Sequence, residues 1–385
     1  MKTTMLRAGA FCLLCVCSTA GALPLGPYDQ VYVFGDSVSD NGNVALTIPT
    51  RTEAPYSALI LNALVPAAPY DVSDNFSNGP VWTDLVGLTP SLIGGTNYAF
   101  GGAESGSLPP LPDDTDIGIS IGNQVAMFGL ATGGNAPTDA LYVVAPIGND
   151  IRRALEAYLG VWLPTGNATA AEAFSSGIVM AAVDNVESVI RQLEGFGGEH
   201  FLVSNAADIG LTPSVRLLDA IVDVDRITDL TAVATDIAED YADKLGQMLD
   251  SLVQELTIDL ARLDVFGLIN DIAQHPGDYG LTNVEDPCIM PGIGVCTNPD
   301  DHLFWDGIHL TSAGQAILER AVRSAVPEPA TLAMLAMGLL GFGLIRRAKK
   351  SSSSQRPKNA EQSQPPFREG SQTETARPRA GTDQD

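Results

Sequence analysis

The four histidines of this 385-residue chain are His200, His275, His302 and His309. Only His309 has a carboxylate three residues ahead of it, Asp306 in "FWDGIHLTSAG". At that spacing, in a turn just before a helix, the carboxylate can fold back to accept a hydrogen bond from Nδ1–H. That fixes the tautomer with Nε2 as the base and stabilises the imidazolium formed when it takes up a proton. An Asp-x-x-His step can also simply cap a helix, so the pair needs a group to act on. His302 has Asp301 adjacent, too close in sequence to orient it as easily. His200 opens a predicted strand and His275 precedes Pro276 in a loop, so these three read as packed or solvated histidines.

A group for that imidazole to act on lies near the other end, in "YVFGDSVSDNGN" at 32–43. Ser37 follows a short strand-like run, which places its hydroxyl on the turn between a strand and a helix. A free serine is a weak nucleophile until a base removes its proton. Acyl transfer also needs donors aimed at the oxyanion. "NYAFGGAES" offers Gly101 and Gly102, where a missing side chain lets a backbone N–H approach a ligand. "PIGNDI" offers the Asn149 amide, and the Ser37 N–H is a third donor. Singly, each is an ordinary turn. Jointly, each follows a strand or precedes the last helix, where the loops of an open parallel sheet converge.

The elements that must position these groups are legible as alternating patterns. Short β-branched or aromatic runs bounded by turn residues read as strands. They are "VYVFG" at 31–35, "NYAFGG" at 97–102, "LYVVAPIG" at 141–148, "HFLVSNAADIG" at 200–210 and "TIDLARLDVF" at 257–266. Between them, apolar residues spaced by three and four predict helices over 175–196, 229–256 and 311–325, the last capped by Thr311. Strands alternating with helices imply an α/β fold. We expect a three-layer α/β/α architecture with a mostly parallel, about five-stranded, flavodoxin-like sheet. The Pro-, Asn- and Ser-rich region 47–96 and the stretch 104–124 read as surface loops, and no internal repeat is visible.

Taken together, "FGDSVSDNGN", "NYAFGGA", "IGND" and "DGIH" resemble the four sequence blocks of the SGNH, or GDSL, hydrolase family, in the same order. "SNAADIGLTPSV" is similar to the segment after the fourth strand in its lipase and outer-membrane-esterase branch. The resemblance implies that Ser37 is the nucleophile and first oxyanion donor. It implies further that Gly102 and Asn149 complete the oxyanion hole and that Asp306 and His309 complete the triad. Asp36 is then a neighbour of the nucleophile rather than the triad acid. Val38 replaces the usual leucine, and Ile147 stands where glycine is common, which would stiffen the oxyanion loop or narrow the acyl site. The implied activity is that of an esterase or lipase on small-molecule or lipid esters. Deacetylation of extracellular polysaccharide, or a non-catalytic surface or matrix binding role, are the alternatives. No metal or organic cofactor is required.

Both ends read as addressing signals. Lys2 and Arg7, the run "AGAFCLLCVCSTA" and the small residues up to Ala22 form a signal-peptide pattern over 1–22. After the expected hydrolase domain, 23–326, comes "VPEPATLAMLAMGLLGFGLIRRAKK". It resembles the PEP-CTERM sorting signal, placed here at 327–350, in which an exosortase removes the tail. The apolar stretch 330–345 precedes Arg346, Arg347, Lys349 and Lys350, the orientation of a stop in the inner membrane. Residues 351–385 are Ser-, Gln- and Pro-rich and read as a disordered tail. The expected partners are therefore the export machinery and an exosortase-like enzyme, and the expected place is the cell envelope or outside it.

The 23–326 core carries 40 acidic against 10 basic side chains, which argues against nucleic acid and suits a soluble, monomeric exported domain. Three cysteines, Cys12, Cys15 and Cys17, lie in the leader. Cys288 and Cys296, in "PCIMPGIGVC", read as a local disulfide in preference to a metal site, for which His302 is the one nearby ligand.

Overall fold

The short apolar runs form a parallel sheet whose strands are β1 (Val31–Gly35), β2 (Leu141–Ala145), β3 (His200–Ser204) and β4 (Asp259–Leu263), in that spatial order. The computed structural model describes residues 25–28, 30–47, 73–108, 119–222, 229–290 and 294–326. The leader 1–22, the apolar stretch 330–345 and the tail 351–385 lie outside the described residues, as do 48–72 and 109–118 of the expected loops. The register runs Val31 to Leu141, Leu141 to His200 and His200 to Asp259.

The helices are α1 (Asn43–Thr47), α2 (Trp82–Leu85), α3 (Ile121–Thr132), α4 (Asn149–Thr165) and α5 (Ala168–Gly195), followed by α6 (Pro213–Val222), α7 (Leu230–Glu255), α8 (Val265–Gln274) and α9 (Ser312–Ala325). Side-chain oxygens cap the N-termini of α3, α5, α7, α8 and α9, from Ser120, Asn167, Asp229, Asp264 and Thr311 respectively. The α4 helix is different. Its cap is Gly148, with no side chain to offer.

Because strand side chains alternate, each strand serves two layers. Phe34, Tyr142, Val144, Phe201 and Val203 pack on one face against α3, α4, α5 and α7. Val31, Val33, Leu141, Val143 and Leu202 pack on the other against Trp82 of α2 and the apolar sides of α8 and α9. These are the three expected layers.

The strand count differs. The sheet has four regular strands, and the expected fifth, 97–102, runs beside the outer edge of β1 with a single bridge, Val33 to Asn97. Its bonds to β1 are Val33 N–H to Thr96, Tyr98 N–H to Val33 and Phe100 N–H to Gly35. On its outward side Asn97 N–H donates to the Thr89 carbonyl and its carbonyl accepts from Ser91 N–H, and side chains take further groups. Asn97 Oδ1 accepts from its neighbour Ala99 N–H, and Asn43 Nδ2 donates to the carbonyls of Asn97 and Ala99.

The expected loops also differ. Within 73–96, Phe76, Val81 and Trp82 are buried, so this stretch is packed into the domain rather than laid over its surface. Helix α3 begins inside 104–124, with Ile121 and Gln124 fully buried.

Candidate active site

Ser37 lies two residues beyond β1, and the strand's end is fixed from both sides. The Gln124 amide forms a reciprocal pair with the Gly35 peptide: Gly35 N–H donates to Oε1 and Nε2 donates to the Gly35 carbonyl, both at 2.9 Å. A Cβ on Gly35 would lie 3.0 Å from the Ala145 carbonyl oxygen, a tight contact, so the close approach of β1 to β2 favours glycine here. The following carboxylate, Asp36, is buried and points inward. Its Oδ1 accepts from Val38 N–H, while Oδ2 accepts from Ile147 and Gly148 N–H, each at 3.0 Å. Asp36 therefore substitutes for the missing cap of α4, an anion at a helix N-terminus, and ties the Asn149 loop to the Ser37 turn.

The turn from Trp305 to Leu310 delivers the imidazole. His309 Nε2 is 3.0 Å from Ser37 Oγ, and Nδ1 is 2.6 Å from Asp306 Oδ2. The other carboxylate oxygen, Oδ1, accepts from the N–H groups of Ile308 and His309 at 2.8 and 2.7 Å. Asp306 is fully buried and His309 is 5% exposed. Ser37 and His309, 272 positions apart in sequence, and Asp306 thus form one hydrogen-bonded line. The remaining histidines stand elsewhere. His200 Nδ1 is 3.5 Å from Asp259 on the sheet edge, His275 pairs with Asp271, and His302 contacts the Asn298 carbonyl at 3.1 Å.

Gln315 of α9 braces the two turns. Its Nε2 donates to the Val38 carbonyl, and its Oε1 accepts from Trp82 N–H. Trp82 Nε1 in turn donates to Ser39 Oγ at 3.0 Å. Ser77 Oγ donates to the Leu310 carbonyl, and Asn78 Oδ1 accepts from Ser312 N–H. The Phe76 ring packs at 5.2 Å from the His309 ring and fills the space a Cβ on Gly101 would need.

The three oxyanion candidates have different surroundings. Asp40 collects the N–H groups of Gly42, Asn43 and Val44, and its Oδ2 also accepts from Gly101 N–H at 2.9 Å. That commits the Gly101 donor. Among the described residues the N–H groups of Gly102 and Ser37 donate no hydrogen bond. Gly102 has φ +78°, a conformation glycine adopts without strain. Asn149 Nδ2 donates one proton to the Ala103 carbonyl at 2.9 Å, and Arg152 Nη1 donates to Oδ1 at 3.2 Å. The amide is therefore fixed with its second Nδ2 proton unassigned. Ser37, Asn149 and His309 line one open cleft, whereas Gly102 is not part of its wall and adjoins Asn149 through Ala103.

Several of these supports carry no sequence signal of their own. Asp36, Asp40 and Asp150 are buried carboxylates that each take at least one backbone N–H from a segment distant in sequence, and Asp150 accepts from the Ser105 N–H and hydroxyl. Burial pushes each of the three up from 3.8 to about 6, against the lowering effect of those hydrogen bonds. Desolvation also lowers the Arg152 guanidinium, countered by Glu156, Asp306 and Asp36.

The two cysteines are joined as a disulfide, Cys288–Cys296, in a loop with the short antiparallel pair β5 (Ile289–Met290) and β6 (Gly294–Val295). Cys288 N–H donates to the Phe304 carbonyl at 3.0 Å and Ile289 N–H to that of Trp305 at 2.7 Å. The loop is seated on the segment immediately before Asp306.

A family model described as GDSL-like lipase/acylhydrolase matches residues 31–322. A PEP-CTERM protein-sorting motif matches 325–347, overlapping the signal expected at 327–350. Acetylajmalan esterase 2 of Rauvolfia serpentina is 24% identical over 347 residues, covering 79% of this chain and 91% of the relative. GDSL esterase/lipase EXL2 of Arabidopsis thaliana is 26% identical over 373 residues, covering 80% and 91%. Inactive GDSL esterase/lipase-like protein 25 of Arabidopsis thaliana is 23% identical over 322 residues, covering 77% and 72%.

Proposed function

Because this chain belongs to the GDSL-like lipase/acylhydrolase family, we propose that it is an exported serine esterase that cleaves carboxylic esters through an acyl-enzyme on Ser37. Its C-terminal motif implies export, membrane association at the C-terminus and exosortase-type processing. On this reading the leader is cut after Ala22, and the stretch 330–345 anchors the chain in the inner membrane until processing.

The observation that carries the proposal is the line from Ser37 Oγ through His309 to Asp306 at 3.0 and 2.6 Å. In the first half-reaction Oγ bonds to the ester carbonyl carbon while its proton passes to His309 Nε2. Asp306 keeps Nδ1 protonated and balances the imidazolium charge. The tetrahedral oxyanion is received by the Ser37 and Gly102 N–H groups and the Asn149 amide. Collapse breaks the bond to the alkoxy oxygen, which leaves with the Nε2 proton as the alcohol. Water then attacks the acyl-enzyme, gives a proton to Nε2, and releases the acid as that proton returns to Ser37. The complete relay speaks against a non-catalytic binding role, even with a relative named inactive.

The test is labelling and turnover of the mature chain. A fluorophosphonate should label the wild type and fail on Ser37→Ala, and Ser37→Ala and His309→Ala should each abolish hydrolysis of p-nitrophenyl butanoate. A wild-type rate in either variant would end the proposal.

A further inference from the structure

Beside Ser37 a cleft of about 850 Å³, counting its open mouth, runs inward past the carboxyl ends of β2, β3 and β4 between α8 and α9. The wall beyond the catalytic groups is aliphatic, built from Ile147, Ile209, Leu268, Ile269, Ile272 and Leu318. Of the polar side chains lining the cleft, Arg152 stands at the catalytic end and donates to Asn149 Oδ1, and those farther in are already occupied. Asp208 accepts from Gly210 N–H, the Thr235 hydroxyl and Asn270 Nδ2, and the Thr212 hydroxyl donates to the Ile209 carbonyl. Water needs two to four polar partners to settle in such a space, and this wall presents few. An interior normally closes such room by packing.

The cleft is also preformed. Ala207 N–H donates to the Ile147 carbonyl at 2.8 Å, and Asn205 joins the loops after β3 and β4 by accepting from Val265 N–H at 2.6 Å. Ile147, where the family resemblance favours glycine, forms part of the wall next to Asn149 and is held there through its N–H on Asp36. The residue that departs from the pattern is thus placed to add apolar surface at the reacting carbonyl.

We propose that this cleft binds an unbranched aliphatic chain of the substrate, on either side of the ester bond, so that the enzyme prefers esters carrying a medium to long chain over those whose acyl and alcohol groups are both short. The inference rests on the esterase reading of the same site. The chain enters with its ester at Ser37 and its methylenes along α8, and each methylene taken from water adds to binding of the transition state.

The experiment uses the mature protein with two ester series. One varies the acyl group on p-nitrophenol from acetate through butanoate to octanoate. The other varies the alcohol of acetate esters from ethyl to octyl. We expect kcat/KM to rise by up to about fourfold per buried methylene in one series, which identifies the side of the ester that enters the cleft. Leu268→Trp, at a half-buried position on the cleft wall, should lower the octyl-to-short-chain ratio at least about tenfold. The ratio is read within one preparation, so partial misfolding does not change it. A flat or falling profile in both series, or a ratio unmoved by Leu268→Trp, overturns the cleft's role while leaving the esterase standing. Failure to hydrolyse any ester, with no fluorophosphonate label on Ser37, removes the esterase reading and the inference with it.

Discussion

The Asp36 carboxylate accepts the Ile147 N–H at 3.0 Å and thereby joins the residue before the proposed nucleophile to the loop that carries Asn149. The same oxygen takes the Gly148 N–H, and Oδ1 takes that of Val38. One buried side chain thus sets where two proposed oxyanion donors stand relative to each other. Asp36→Asn keeps the volume but replaces one acceptor oxygen with a donor facing two N–H groups. We expect kcat to fall by about 10²-fold, the scale of a misplacement near 1 Å, with KM much less affected. Steady-state kinetics on p-nitrophenyl butanoate would check this. An unchanged kcat would mean that the tether is dispensable.

Asp306 divides its two oxygens between backbone and imidazole. Asp306→Asn can retain the Oδ1 bonds from the Ile308 and His309 N–H groups. Its new Nδ2 would then face His309 Nδ1 and favour the tautomer with the proton on Nε2, where it cannot accept from Ser37. The expected loss in kcat is about 10³- to 10⁴-fold in a protein that still folds. Near-native activity with the variant's Tm unchanged would show that the carboxylate is not the orienting acid.

Stability should rise on mild acidification. Asp36, Asp40 and Asp150 have pKa values raised from 3.8 to about 6 by burial. A carboxyl raised in the folded state binds more protons folded than unfolded. Its contribution is therefore fully present below about 3.8 and lost as pH climbs through about 6, on the order of 3 kcal/mol for each fully buried group. Protonation also relieves repulsion in a strongly acidic chain. Tm of the purified protein should be higher at pH 5 than at pH 7. A steady fall over that interval would contradict the raised values.

What was legible in the sequence has a physical pattern. Strand alternation and the Thr311 cap are local, so β1 to β4 and α9 are found where the periodicity places them. The Ser37 and Asn149 loops share one end of the sheet because parallel strands bring their carboxyl ends together, and the turn before α9 carries His309 to the same cleft. The supports are long-range. The Asp40 bond to Gly101, the Phe76 ring on His309 and the Gln315 brace each join segments that look unremarkable alone. Phe76 lies in a stretch whose Pro, Asn and Ser content suggests a surface loop, and only the packing shows it buried. The fifth strand is misjudged for a related reason. The apolar run 98–100 is buried and bonded to β1 as a strand would be, but only Val33 to Asn97 forms a bridge with it, and Asn97 is also held by Thr89 and Ser91.

The disulfide should matter to catalysis as well as to stability. Cys288–Cys296 closes a loop with a sequence separation of eight, which in the chain-entropy account contributes about 2–3 kcal/mol. Its seat is specific: Cys288 and Ile289 donate to the carbonyls of Phe304 and Trp305, just before Asp306. Cys288 also packs with Phe76 and Trp305 in the small apolar cluster behind His309. Opening the loop should free the turn that holds Asp306 and His309 before it unfolds the sheet, because none of the four parallel strands passes through it. The double variant Cys288→Ser with Cys296→Ser should therefore lose kcat by several-fold, with a lowered Tm. Reduction of the wild type with dithiothreitol should reproduce both effects. If Tm drops while kcat measured well below the transition stays at the wild-type value, the loop stabilises the domain without bracing the catalytic turn.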